Sequence, residues 1–352
     1  MKRYAFPVAI AMLLSFAYDT SRSQSIAPPN STGSRVARQS TISEPILLET
    51  PTATLYGTLE RPQSSSQLPV VLLIAGSGPT DRDGNSPLLS GPNNSIKMLA
   101  EGLAAQGIAS VRYDKRGIGE SGKAMQLAAA KAQLKLREDD LRFEAYIDDA
   151  VLWGKKLRVD DRFSSLTVIG HSEGSLIGMV AAQRMGANAF VSLAGSGRPA
   201  QQILLEQLKA QLPADLLKLT EEILDRLAAG QTFESVPPAL NFLFRPSIQP
   251  YIISWFRYNP AKEIARLSVP VMIVQGTTDV QVSLEDAKAL AGAHPAPKLL
   301  VVDGMNHVLK MVPNQRDKQV ASYSDPSLPV SSSLISEIGG FVTNLRSQSR
   351  SQ

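Results

Sequence analysis

Ser172 lies in Gly170-His171-Ser172-Glu173-Gly174, between a short apolar run ending at Ile169 and an apolar helical pattern beginning at Ser175. A G-x-S-x-G pentapeptide in that setting marks a nucleophile elbow, a sharp strand-to-helix turn that lifts a serine hydroxyl clear of its neighbours. Gly170 and Gly174 leave out the side chains that would crowd such a turn. A serine hydroxyl is a poor nucleophile near neutral pH and needs an adjacent base. The chain has three histidines, His171, His294 and His307. His171 directly precedes Ser172, so its side chain is expected to point away from the hydroxyl. His294, in Ala-Gly-Ala-His-Pro, reads as a surface or capping residue at a helix end. His307 ends Asp303-Gly304-Met305-Asn306-His307, directly after an apolar run at residues 298–302, in a loop from which a base could reach Ser172.

A base of this kind needs an acid to orient the imidazole and stabilise its charged form. Asp279 closes Gln275-Gly276-Thr277-Thr278-Asp279, again just past an apolar run, and gives the chain order Ser172, Asp279, His307. Asp303 is the rival, but its closeness to His307 in sequence suits it better to capping the turn. A developing oxyanion needs two preorganised N–H donors. One is expected from the backbone of Glu173, the residue after the nucleophile. The other is expected from Gly76-Ser77-Gly78, with Ser77 the first choice and Gly78 the second. Asp114, Lys115 and Arg116 read as an ion-paired turn supporting the strand ends. Asp81, Arg82 and Asp83 either brace the loop after residue 75 or face the mouth of the pocket, with bracing preferred.

These residues must be held by regular elements. Residues 46–49 and 52–60 alternate around Pro51 and predict an antiparallel hairpin at a sheet edge. Residues 70–75 form an unbroken apolar run, as do 189–194, with no polar alternation, which predicts strands covered on both faces. Further strands are expected at 108–113, 166–169, 269–274 and 298–302. Helical patterns at 96–106, 123–142, 143–157, 175–185, 284–291 and 334–345 separate them. Strand–helix alternation of this kind predicts an α/β fold with a mostly parallel sheet, whose sites form at the carboxyl ends of the strands. Between about residues 198 and 258 no strand appears. Leu204, Leu208 and Leu212 share one helical face, a second helix covers 216–227, and four of the ten Phe and one of the two Trp lie in this insert. It predicts a helical cap whose aromatics either pack it onto the body or line an apolar pocket.

The 352 residues are 43% hydrophobic and 19% charged, with a net charge of +4 spread along the chain. No basic cluster with interleaved aromatics is present, which argues against nucleic acid. With no Cys in these residues, disulfides, thiolate metal sites and a thiol nucleophile are excluded. Lys2 and Arg3 precede an apolar stretch to Ala17 that is short for a membrane span, so residues 1–27 read as a secretory signal peptide and the product as secreted or periplasmic. The Ser-, Pro- and Arg-rich residues 28–44 read as a linker. The expected order is then a core at 45–197, a cap at 198–260 and the rest of the core at 261–348.

Five segments carry a resemblance: residues 75–85 (Ala-Gly-Ser-Gly-Pro-Thr-Asp-Arg-Asp-Gly-Asn), 113–121 (Tyr-Asp-Lys-Arg-Gly-Ile-Gly-Glu-Ser), the Ser172 pentapeptide, Gly276-Thr277-Thr278-Asp279 and Gly304-Met305-Asn306-His307. Together, across residues 45–346, the chain resembles the α/β-hydrolase superfamily, and within it bacterial serine esterases of the prolyl oligopeptidase and dienelactone hydrolase branch. The resemblance implies an eight-stranded, mostly parallel sheet with a helical cap, Ser172, Asp279 and His307 as catalytic triad, and neither a metal nor an organic cofactor. One departure is Ala75, where a leading His is usual before the oxyanion loop. The implied activity is carboxylic-ester hydrolysis on a small molecule with an apolar or aromatic group. A peptidase, amidase or thioesterase of the same superfamily is the alternative, although no segment upstream of residue 45 is long enough for the propeller that filters substrates in peptide-cleaving relatives. A third reading, a binding protein that kept the fold, sits poorly with a full set of Ser, Asp and His.

Overall fold

The computed structural model describes residues 41–130, 137–209 and 212–349. The signal-peptide reading of residues 1–27, and most of the linker, lie outside them. Eight strands form one sheet: β1 (Thr41–Glu49), β2 (Thr54–Pro62), β3 (Leu68–Ile74), β4 (Ala109–Tyr113), β5 (Phe163–His171), β6 (Ala189–Leu193), β7 (Val271–Gly276) and β8 (Lys298–Val302). Their spatial order is β1-β2-β4-β3-β5-β6-β7-β8. β2 is antiparallel to both of its neighbours, and every pair from β4 through β8 is parallel.

Twelve helices complete the described chain: α1 (Ser95–Ala104), α2 (Gly119–Ala130), α3 (Phe143–Arg158), α4 (Glu173–Met185), α5 (Ala200–Lys209), α6 (Ala214–Ala228), α7 (Asn241–Phe244), α8 (Gln249–Phe256), α9 (Pro260–Ile264), α10 (Leu284–Ala293), α11 (Arg316–Ser322) and α12 (Ser332–Ser349). They cover both faces of the sheet, and β3 shows why its sequence is unbroken apolar. Val70, Leu72 and Ile74 point into a core shared with α3, α4 and the cap, while Val71 and Leu73 point into a second core with α1 and α12. A strand buried on both faces has no position for a polar side chain. β8 differs from the buried strand its apolar composition suggests. It pairs on one side only, as the edge of the sheet, and leaves Leu299 and Val301 exposed.

The linker ends earlier than residue 44. Thr41, Ile42 and Ser43 already pair with Pro62, Arg61 and Glu60, so β1 is already formed at the first described residue. Within 123–142, α2 is described as far as Ala130 and a single 3₁₀ turn lies at Glu138–Asp140, with residues 131–136 outside the described set. Between β6 and β7 only helices and short 3₁₀ turns occur among the described residues. This cap leans on α3 through Phe143, whose ring stacks on Trp255 at 6.1 Å and whose N–H donates to Ser254 Oγ at 2.8 Å. No described helix is long and apolar enough to cross a membrane.

Candidate active site

Ser172 stands where β5 passes directly into α4, with φ 55° and ψ −122°. A non-glycine residue held there carries on the order of 1–3 kcal/mol of strain, tolerated only where the surroundings enforce it. Those surroundings are visible. The Ser172 N–H donates to Leu193 O at 2.9 Å, and its carbonyl accepts from Ser175 N at 2.9 Å. A Cβ on Gly170 would run into the Gly174 backbone, and one on Gly174 into the carbonyl oxygens of Ile74 and Ala75. Both glycines are thus required by close backbone approach at the turn itself. The Ser172 hydroxyl makes no capping hydrogen bond to α4 and lines a cavity.

Asp279 and His307 come together from the loops after β7 and β8. His307 Nδ1 lies 2.8 Å from Asp279 Oδ2. The carboxylate also accepts from Gln275 Nε2 at 3.0 Å and, through Oδ1, from the N–H groups of Gln281 and Val282 at 2.8 and 3.0 Å. Burial alone would raise the Asp279 pKa; the charge and hydrogen bond of His307 and the two backbone N–H groups outweigh it and hold the carboxyl below its ordinary value. An ionised acceptor at Nδ1 keeps the proton on that nitrogen and leaves Nε2 as the basic site. Asp303, by contrast, accepts from Thr277 Oγ1 at 2.9 Å and so ties the two loops together. The His307 loop is further fixed by Asn306, fully buried, which donates to Ser322 Oγ at 2.8 Å and accepts the Lys310 N–H at 3.0 Å.

His171 is where sequence reasoning fell short. Its ring is packed 4.8 Å from that of His307, and its Nε2 lies 2.8 Å from the His307 carbonyl oxygen. A carbonyl can only accept, so His171 carries its proton on Nε2. Burial, then the neighbouring His307, drives its pKa down to about 3, and it is neutral at ordinary pH. His294 caps α10, with Nε2 3.1 Å from Leu267 O and Nδ1 accepting the Ala296 N–H at 3.3 Å.

Ser77 and Glu173 both line the cavity beside Ser172. Glu173 is the first residue of α4, and the first N–H groups of a helix have no acceptor within it. Gly76 passes so close to the elbow that a Cβ there would sit 3.1 Å from Ser172 Cβ. Gly78 turns the loop with φ 70°. The charged residues flanking this loop brace it: Arg82 pairs with Asp114 at 2.8 Å, and Asp83 accepts Arg112 Nε at 2.7 Å. Arg116 forms two 2.6 Å bonds to Asp149. The Glu173 side chain, whose role the sequence leaves open, accepts the Tyr251 hydroxyl from the cap.

The cavity beside Ser172 lies under the cap and is partly open to solvent. Leu176, Ile203, Leu204, Trp255 and Val282 give it an apolar wall. Arg198 reaches its rim already engaged by Asp286 at 2.8 Å and by Glu206. Of the cap aromatics only Trp255 lines the cavity, whereas Phe244 is buried in the core and Phe242 is exposed.

Strand order, elbow and cap can be set beside known proteins. Est1E from Butyrivibrio proteoclasticus superposes with a TM-score of 0.53 at 16% identity, covering 86% of this chain and 99% of that one. The mouse α/β hydrolase domain-containing protein 10 gives the same score and identity over 86% and 99%. The chain has the α/β-hydrolase fold. A family model described as serine aminopeptidase, S33, matches residues 93–240 of this hydrolase fold, a stretch holding Ser172 but neither Asp279 nor His307. Esterase EstD of Thermotoga maritima is 31% identical over 259 residues, 72% of this chain. The chain spans 58% of that relative's length.

Proposed function

We propose that this α/β hydrolase is a serine carboxylesterase in which Ser172 is the nucleophile, His307 the base and Asp279 the acid that orients it. The observation that carries the reading is the buried 2.8 Å contact from His307 Nδ1 to an ionised Asp279, set on two loops at the same end of the sheet as the Ser172 elbow. His307 Nε2 takes the Ser172 proton as Oγ attacks the ester carbonyl. The tetrahedral oxyanion is held by the N–H groups of Ser77 and Glu173. His307 then gives the proton to the departing alcohol, and the acyl-enzyme is hydrolysed by a water that the same histidine deprotonates. The apolar cavity wall supports an apolar or aromatic acyl group of modest size. The relative named as an esterase supports ester chemistry. Residues 1–27 support export, which fractionation of cells expressing the full chain would settle.

The test is turnover of p-nitrophenyl acyl esters together with fluorophosphonate labelling. Wild type is expected to show both, and Ser172→Ala to lose labelling and at least about 10⁴-fold of kcat. A Ser172→Ala variant of full esterase activity sinks the reading. The aminopeptidase description of the matching family model favours a second possibility. Turnover of aminoacyl amides without turnover of acyl esters would select it.

A further inference from the structure

In the Asp114–Arg116 turn the outer two residues have close partners of opposite charge, and the middle one is used differently. Lys115 is 1% exposed. Its Nζ donates to the backbone carbonyl of Gly76, sits 5.2 Å above the Tyr146 ring, and lies 3.9 Å from Glu173 Oε2. The other oxygen of that carboxylate accepts the hydroxyl of Tyr251, on α8 of the cap. Glu173 is the residue after the nucleophile. A chain of polar contacts therefore runs from the cap, through the elbow, to the loop after β3. Burial lowers the Lys115 pKa while Glu173 opposes that, and in either protonation state the amine retains N–H groups to donate.

The geometry of a peptide unit gives this chain a consequence. The Gly76 carbonyl and the Ser77 N–H belong to one rigid plane and point in opposite directions. A donor that holds the carbonyl on one side fixes the direction of the N–H on the other. Ser77 lines the cavity with Ser172. Gly76 leaves that plane without a side chain to steady it. Ion pairing alone does not account for Lys115, since burying an ammonium 3.9 Å from its carboxylate recovers little of the desolvation cost.

We infer that Lys115 is a positioning residue for the oxyanion hole: it grips the Gly76 carbonyl so that the Ser77 N–H is aimed at the developing oxyanion, and Glu173 and Tyr251 hold the Lys115 amine in place. This rests on the serine-hydrolase reading above. It makes cap helix α8 part of the alignment of the hole and not only a wall of the acyl pocket.

The test compares Lys115→Met, which keeps the length of the side chain and removes the donor, with wild type. A donor that is misaimed acts on the transition state, so kcat is expected to fall about 10- to 100-fold, less than the roughly 10²–10³-fold cost of deleting an oxyanion donor. KM stays within about threefold, as for an interaction made only in the transition state. Inhibition by an alkyl boronic acid, which forms a tetrahedral oxyanion on Ser172, weakens by the same factor as kcat, while inhibition by the carboxylate product does not change. A residue that merely supported the fold would weaken boronate and carboxylate together, and that result overturns the inference. Unchanged kcat with a native thermal transition overturns it too. Should Lys115→Met fail to fold, Tyr251→Phe keeps the ring and loosens Glu173. A smaller kcat loss with the same boronate-selective weakening supports the inference, and no loss overturns it. Fluorophosphonate labelling separates the two readings. A wild type that is labelled but inert toward esters defeats the esterase assignment alone. Equal labelling rates for wild type and Lys115→Met defeat the Lys115 inference alone.

Discussion

His171 Nε2 donates to the backbone carbonyl of His307 at 2.8 Å, so the residue before Ser172 holds the loop that carries His307, the proposed base. Replacing it with Phe keeps a flat ring against His307 and strands a buried carbonyl. The expected loss of stability is about 1–3 kcal/mol, the usual cost of an unsatisfied buried group. A fall in kcat larger than any rise in KM is expected as well, because it is the base that moves. The variant also reports on pH. The folded chain keeps His171 neutral down to a pKa of about 3, against the ordinary 6.5. Between those values the unfolded chain binds a proton that the folded chain excludes. The contribution of His171 is therefore complete above about pH 6.5 and is lost as pH falls toward 3. Urea melts over that range should show a shallower decline for His171→Phe than for wild type, and parallel curves would contradict it.

Asp279→Asn preserves volume but places an amide where four donors converge. An amide N–H facing His307 forces the proton to the other ring nitrogen, and kcat is expected to fall about 10⁴-fold with KM little changed. Asp303→Asn, on the carboxylate that ties Thr277, should stay within about threefold in kcat, since a surface tie of this kind is worth little. The low Asp279 pKa adds a stability consequence. Its contribution is present above the ordinary carboxyl range and is lost as pH falls through its depressed folded value. Steady-state kinetics of the two variants side by side check the assignment of the acid.

Much of this was legible in sequence for a local reason. Ser172, Asp279 and His307 each follow an apolar run closely, and in a parallel sheet such positions share one end. The contacts of His171, Lys115 and Tyr251 were not legible. His171 was expected to point away, and where its ring goes depends on the His307 loop, 136 residues later. Lys115, Glu173 and Tyr251 meet only through tertiary packing, and no periodicity links residues 115, 173 and 251. The start of β1 was missed for another reason. Residues 41–45 alternate between exposed and half-buried, and it is backbone pairing to β2, which hydropathy does not register, that carries β1 ahead of residue 46.

Two glycine substitutions separate close approach from helix propensity. Gly174→Ala would press a methyl against the carbonyl oxygens of Ile74 and Ala75 beneath the elbow, so that backbone itself would have to shift. About 3 kcal/mol of destabilisation is expected, at the upper end for overpacking, together with loss of fluorophosphonate labelling. Gly340→Ala meets nothing within 4 Å in α12 and is expected to stabilise by about 0.5–1 kcal/mol. Thermal unfolding of both tells whether the elbow glycine is required by contact.

The cavity wall sets the last expectation. Leu204, on α5, lines the same cavity as Ser172, together with Leu176 and Val282. Leu204→Phe enlarges a wall residue without adding charge and shortens the space for an acyl chain. Acetyl and propionyl esters should be turned over nearly as before. For hexanoyl and longer esters kcat/KM should fall about 10- to 100-fold, in line with the roughly 1–3 kcal/mol that a methylene-scale change in an apolar pocket commands. Leu204→Ala should shift the optimum toward longer chains. A chain-length series on the three proteins distinguishes this from a general loss of packing, which would lower every ester alike and depress the melting temperature in proportion.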